Sequence, residues 1–140
     1  QWSNQHHGYL SFLEHSSSHV QEGYINVLYP HWGYELEFFP RQETVQLAKS
    51  LLSGFDAIVG HHTHIPGAIS QFSIDGKDKL VAFSLGDSST GLPSRRYRYG
   101  MCLSLGIEDE IQAGEWCYTK LIKTNKHELT LSRIDRYDVF

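Results

Sequence analysis

No stretch of these 140 residues is apolar over the roughly 18 positions that a membrane-crossing helix needs. The opening Gln1-Trp2-Ser3-Asn4-Gln5-His6-His7 also lacks the basic and apolar blocks of a secretion signal. A start without methionine reads as a cut from something longer, so both absences describe this segment and not its parent. Positive charge is scarce as well. Twelve Lys and Arg against 16 Asp and Glu leave a formal charge of -4, which gives no electrostatic reason to expect nucleic acid. Cysteine is limited to Cys102 and Cys117, and neither belongs to a CxxC pair or neighbours a histidine cluster, which argues against a zinc ribbon. The two thiols read either as an ordinary pair or as a disulfide across a late hairpin in an exported protein. A GxSxG nucleophile elbow and a Walker loop are both missing, so any catalysis has to come from a metal. Repeats and low-complexity tracts are absent too.

Histidine, by contrast, is abundant, with nine in all. His6, His7, His15, His19 and His127 sit in polar, Ser-rich or charged surroundings and read as surface residues. The rest form two clusters, His31 and His61-His62-Thr63-His64, each just after a short apolar run, Tyr24–Tyr29 closed by Pro30 and Ala57–Gly60. Between the runs, Val45, Leu47, Ala48, Leu51 and Leu52 of the segment Arg41–Ser53 fall at helical spacing, with Gln42, Glu43, Gln46, Lys49 and Ser50 on the outer face. Pro40 precedes that helix and Gly54 follows it, a tolerated start and an expected cap. Strand, helix, strand is a βαβ unit, whose crossover is right-handed in about 98% of cases. Its strands are parallel, so both histidine clusters are expected at the carboxyl edge of one sheet, where open α/β sheets bind ligands.

With 40% hydrophobic and 13% aromatic residues, the composition is that of an ordinary folded domain, read as one truncated domain over 1–140. A chain of this length buries roughly two thirds of its unfolded surface. Residues 1–22 show no clear period and read as a loop or a cut end. After Pro66-Gly67, Gln71–Ile74 and Leu80–Leu85 read as a hairpin turned at Asp75-Gly76 and ending in Gly86-Asp87. A loop with Gly91, Pro93 and the basic stretch Arg95-Arg96-Tyr97-Arg98 follows. Strands are expected at Met101–Ile107, Glu115–Ile122 and Leu129–Ile134, with turn material at Glu108-Asp109-Glu110 and Ala113-Gly114.

In an extended segment residues two apart project to one side, so His62 and His64 can reach one metal, or one each of two neighbours. Imidazole is the commonest protein ligand for transition ions. Loop histidines bonded to backbone are the plain alternative, weakened here because a strand and Gly60 feed the pair and His31 shares their edge. His61 should point away from His62, which favours a supporting or core role. Glu35 reads either as a substrate or ligand contact or as part of a solvated strand edge. Asp87 either bonds a ligand or a metal-bound water, or is ordinary turn chemistry. Arg95 and Arg96, with Arg98, either hold phosphate or carboxylate groups or form a solvated basic loop. A metal would lower the pKa of bound water from ~15.7 to about 7, and a pair about 3.5–4 Å apart would stabilise both oxygens of a phosphoryl transfer.

His31-Trp32-Gly33-x-Glu35, Pro40, Gln46-Leu47-Ala48, Asp56-x-Ile58-Val59-Gly60-His61-His62-x-His64 and Phe83-Ser84-Leu85-Gly86 occur in that order. The order resembles the bacterial capsule synthesis proteins of the CapA type, the poly-γ-glutamate biosynthesis family, within the calcineurin-like metallophosphoesterase superfamily. The match runs from Gly23 to Asp87, about half of the chain. The resemblance implies an α/β (α+β) fold, a two-sheet sandwich flanked by helices with a two-metal site at the sheet edge. Residues 23–92 would be the metallophosphoesterase-like core and 93–140 C-terminal β-strands. By position, His31 and His62 would bind one metal and His64 the other, as the catalytic ligands. The ions would be divalent manganese, iron or zinc, two in the full-length parent. The superfamily's other ligands, an Asp and His pair, a bridging Asp and an Asn-His, come from earlier in the chain. Asn4-Gln5-His6 lies too near His31 for that Asn-His, so the sequence reads as a C-terminal portion holding about half a site. The family pattern tends to Ser-Leu-Gly-Asn, and Asp87 in place of the Asn adds negative charge close to the metals.

Three functions stand as expectations: capsule or polyglutamate assembly, metal-dependent phosphoester hydrolysis, and a non-catalytic polymer-binding or interaction role. The implied partners are an anionic polymer or phosphoester substrate and other capsule-assembly proteins, with membrane contact only through segments outside this sequence. The implied location is the bacterial cell envelope or its extracellular face. These 140 residues by themselves are expected to bind metal weakly and to catalyse negligibly.

Overall fold

The computed structural model describes residues 2–89, 95–108, 111–123 and 129–135. In chain order its elements are α1 (Trp2–Ser17), β1 (Val27–Leu28), α2 (Gln42–Leu51), β2 (Ala57–Val59), β3 (Ile69–Ile74), β4 (Lys77–Ala82), a 3₁₀ turn (Arg95–Arg98), β5 (Tyr99–Ile107), β6 (Ile111–Lys123) and β7 (Leu129–Ile134). They make a four-stranded sheet in the order β1-β2-β4-β3 and a three-stranded sheet in the order β5-β6-β7. β1, β2 and β4 are parallel, β3 is antiparallel to β4, and the second sheet is antiparallel throughout. The mixed α/β class with two sheets is the one the family resemblance implies.

α2 forms where the periodicity places it. Its buried residues Thr44, Leu47, Ala48 and Leu51 fall three and four apart, one stripe facing the sheet. Leu47, Ala48 and Leu51, with Leu52, Phe55, Ile58, Val81, Phe83 and Trp32, form the core. Each large apolar side chain fully buried there contributes about 1.5–3 kcal/mol. The helix does not end on Gly54 in a left-handed cap, as expected, but on Leu52 in a right-handed conformation. Lys79 from β4 does the capping, its Nζ donating to the carbonyls of Leu52 (2.7 Å) and Phe55 (2.9 Å). That sets a positive charge against the negative end of the helix.

Three expectations need correction. Residues of the supposed N-terminal loop form α1, and Tyr9, Phe12, Leu13 and Val20 lie against the α2 core. Tyr9, Phe12, Leu13 and buried Ser16 occupy one helical face, but three apolar residues among serines, histidines and glutamines are too few to register as a period. β1 is far shorter than Tyr24–Tyr29. Asn26 gathers the preceding residues into a turn, its Nδ2 donating to the Gln21 and Tyr24 carbonyls (2.9 Å each), while Pro30 has no N–H to offer the ladder. Ala113-Gly114 is no turn but lies within β6, and Ile107 already pairs with Ile111 across a register shift at Gly106. Gly91 and Pro93 of the expected loop, Asp109, Glu110 and His127 lie outside the described residues.

The β3–β4 hairpin follows its turn chemistry. Asp75 (φ 52) and Gly76 (φ 76) both take the positive φ that a two-residue hairpin turn of this hand requires. Beyond β4, the chain stays laced to its neighbours: Phe83 N–H donates to Ala68 O (2.9 Å), Gly67 N–H to Ser84 O (2.9 Å) and Leu85 N–H to Gly60 O (3.1 Å). A bridge between Gly86 and Gly100 then joins the two sheets, flanked by Asp87 N–H to Tyr99 O (2.9 Å) and Met101 N–H to Leu85 O (2.8 Å).

Two positions in this frame make direct predictions. Buried Trp32 donates Nε1–H to the Phe83 carbonyl (2.9 Å) and stacks on the Phe83 ring, and both lie so close to Gly60 that an added Cβ would overlap them. Gly60→Ala is therefore expected to destabilise the fold by about 1–3 kcal/mol in chemical denaturation; an unchanged midpoint would contradict this packing. Tyr9 has its phenol pKa pushed up to about 12, above its ordinary value of 10.0, chiefly by burial and further by the Glu43 carboxylate. The nearby Thr44 hydroxyl pulls the other way, but among the described residues no hydrogen bond of good geometry reaches the phenol oxygen. Below pH 10.0 both folded and unfolded chains keep this proton; between 10.0 and about 12 only the folded chain does, so stability falls over that window. Tyr9→Phe is expected to flatten the alkaline limb of the stability curve relative to the parent chain, and parallel curves would overturn the assignment.

Candidate functional site

The three parallel strands of the first sheet all run out at one edge. Pro30 and His31 follow β1, Gly60 to His64 follow β2, and Phe83 to Asp87 follow β4. Main-chain bonds lace these continuations together. His61 N–H donates to Pro30 O (3.0 Å) and Trp32 N–H to His61 O (3.2 Å), a parallel bridge that sets His31 beside His61. Gly60 N–H donates to Ala82 O (2.7 Å), and Leu36 N–H to Thr63 O (2.8 Å).

Two of the histidines are not in extended backbone. His62 sits at φ 101 and His64 at φ 63. Positive φ is uncommon outside glycine, and such residues cost about 1–3 kcal/mol each and concentrate at functional sites. The rule that residues two apart share a side of an extended chain therefore does not describe this pair. The kinks nonetheless leave their ring centroids 6.4 Å apart, and the His62 ring 4.3 Å from that of His31.

Asp87 is the carboxylate of the site. Its Oδ1 and Oδ2 lie 3.1 and 3.3 Å from His64 Nδ1, and the side chain is only 14% exposed. A carboxylate can only accept, so Nδ1 carries the proton in this contact, and in the neutral ring Nε2 holds the lone pair. Gly86 (φ 66) makes the approach possible, since a Cβ there would stand 2.6 Å from Tyr99 O and 2.8 Å from Pro66. His61 stands beside His31 through the backbone bridge. Its ring packs at 4.0 Å on Tyr29, and its buried Nε2 has no partner among the described residues. Burial first, and His31 second, hold its pKa below the ordinary 6.5, so it is neutral at pH 7.

The remaining sequence-predicted residues are placed less closely. Glu35 is exposed in a turn, and among the described residues no contact joins it to the imidazoles. Arg95 and Arg96 are exposed on the 3₁₀ turn, whose Tyr97 meets His64 edge-on at 5.4 Å. Tyr97 and Tyr29 were not singled out from sequence. Tyr29 stands two residues before His31 at the end of an apolar run, whereas nothing local marks Tyr97. A cleft lined by Trp32, Phe38, Arg41, Thr63 and Ser84, among others, encloses about 20 Å³, room for a water and not for an organic ligand. None of the candidate histidines lines it.

Among the described residues no three His, Cys, Asp or Glu groups meet closely enough to hold one ion. The site is two pairs, His31 with His62 and His64 with Asp87. Imidazole and carboxylate donors suit a divalent transition ion, but a catalytic centre takes three protein ligands or more, so this set fits part of a coordination shell.

The model of the bacterial capsule synthesis protein family PGA_cap matches residues 11–90, more than half of the chain. The chain belongs to this family. The PGA_cap match opens inside α1 and closes just beyond Asp87, so it takes in every histidine of the edge, Glu35 and Asp87, and leaves out Arg95, Arg96 and Tyr97. The ordered motifs read from the sequence pointed to the same family. Among curated proteins nothing matches the chain.

Proposed function

We propose that this chain supplies imidazole ligands to a divalent-metal centre with phosphoesterase-like chemistry in a capsule synthesis protein. His31 and His62 would hold one ion and His64 a second, with manganese, iron or zinc all suited to these donors. Water and donors outside this set would complete the shells. The observation that carries the reading is the backbone at His62 and His64, both at positive φ at the carboxyl edge of the parallel strands. A loop of purely structural purpose would take glycine or asparagine there at lower cost.

The chain's own residues have distinct tasks. Asp87 accepts the Nδ1 proton of His64, which fixes the tautomer and aims Nε2 outward. His61, neutral through burial, adds no positive charge beside the ligands. Trp32, anchored on Phe83, holds the turn that follows His31. A divalent ion, when bound, would supply Lewis-acid polarisation and water of lowered pKa. Arg95 and Arg96, on the turn that carries Tyr97 to His64, would meet the negative charge of a phosphoester or an anionic polymer. The edge is open, with His31 exposed, which favours an extended polymer over a small molecule.

Calorimetric titration with Mn²⁺ or Zn²⁺ tests the ligand set. His31→Ala, His62→Ala and His64→Ala are each expected to weaken binding by about tenfold or more, and Asp87→Ala by about 10–100-fold through the loss of its hold on His64. His19→Ala, at an exposed residue of no proposed role, is expected to leave affinity unchanged. Equal affinity in the His31→Ala, His62→Ala and parent proteins would overturn the proposal.

A further inference from the structure

Away from the histidine edge, the register of the second sheet sets Cys102 of β5 directly opposite Cys117 of β6. Directly opposed residues of an antiparallel pair have Cα atoms about 4.5 or 5.5 Å apart, depending on whether they exchange ladder hydrogen bonds. Both spacings fall inside the span of about 4.4–6.8 Å over which a disulfide closes. Opposed side chains also leave the sheet on the same face. The pairs on either side of them on that face are Gly100 with Thr119 and Ser104 with Glu115, so β5 places only small residues beside Cys102. Both thiols are free, Cys102 exposed and Cys117 partly so, which leaves them open to a reagent from solvent.

We propose that Cys102 and Cys117 are a redox pair that closes into a cross-strand disulfide, a covalent staple between β5 and β6. The oxidant is an external disulfide, either a small molecule or an exchange protein. Cys102, the more accessible, attacks one sulfur of that disulfide as the thiolate. The external S–S bond breaks, one external thiol leaves, and Cys102 carries a mixed disulfide. Cys117 then gives its proton to solvent and attacks the Cys102 sulfur, forming the internal S–S bond and expelling the second external thiol. The chain loses two hydrogens with two electrons, and the external disulfide is reduced to two thiols. The staple sits close to Tyr99 and Met101, whose backbone bonds hold Asp87 and Leu85, so it braces the strand pair against which the Gly86–Asp87 segment rests. Nothing in this step depends on the metal reading.

The purified protein, equilibrated in an oxidising glutathione buffer, acid-quenched and alkylated with iodoacetamide without reductant, gives the test. Intact mass is expected to fall by two hydrogens with neither cysteine alkylated, and proteolysis to release a peptide pair linking Cys102 to Cys117. The thermal midpoint is expected to rise on the order of 5 °C over the reduced protein, a shift absent in Cys102→Ser. Alkylation of both cysteines after oxidation, stable glutathione adducts on them, or links only between chains would overturn the proposal. The mass and peptide readouts use the unmutated protein and stand whether or not the variant folds.

Discussion

Three backbone ladders running in the same direction hold the rest in place. Val27 is level with Ala57 and Ala57 with Leu80; Leu28 is level with Ile58 and Ile58 with Val81. Parallel strands in register deliver their continuations to one edge at one height. His31, the His62–His64 kink and Asp87 therefore arrive together by topology, before any contact among them is made. An antiparallel partner in place of any of the three would have carried its polar residue to the opposite edge. The ladders are fixed in turn by the core beneath, where Leu51, Leu52, Ile58 and Val81 are wholly buried.

That core is what lets the edge be strained. Two histidines at positive φ cost about 1–3 kcal/mol each, and the buried Nε2 of His61 adds the penalty of an unpaired polar atom, about 1–3 kcal/mol. Leu51, Leu52, Ile58 and Val81 of that core contribute about 1.5–3 kcal/mol each. The local conformation is further pinned by bonds that leave little freedom, Leu36 N–H to Thr63 O, Thr63 Oγ1–H to Ile65 O (2.9 Å) and Gly60 N–H to Ala82 O. Bonds this closely set hold the backbone of the edge in its strained conformation.

How far the sequence could be read depended on whether the determinant was local. α2 was legible because its buried residues repeat at helical spacing, and the β3–β4 hairpin because Asp75-Gly76 suits a turn with two positive φ angles. The shared edge of the histidines was legible too, since strand, helix and strand dictate parallel neighbours. α1 was not, because its apolar stripe is short and diluted by polar residues. Nor was the brevity of β1, which depends on Asn26 and on its backbone N–H reaching Asp56 Oδ2 (2.7 Å), thirty residues away. At the candidate site the spacing argument singled out His62 and His64 but assumed extended backbone, whereas both are at positive φ. The Asp87 contact spans 23 residues, and Tyr97 reaches His64 from a different segment again, so neither leaves a local trace.

Anomalous diffraction from crystals of the protein grown with Mn²⁺ or Zn²⁺ addresses the shared edge most directly. The parallel-edge geometry predicts a peak within coordinating distance, about 2.0–2.2 Å, of ring nitrogens from both His31 and His62, with His64 still bonded to Asp87. Strong metal peaks elsewhere with none between His31 and His62, or those two rings pointing to separate faces, would contradict it.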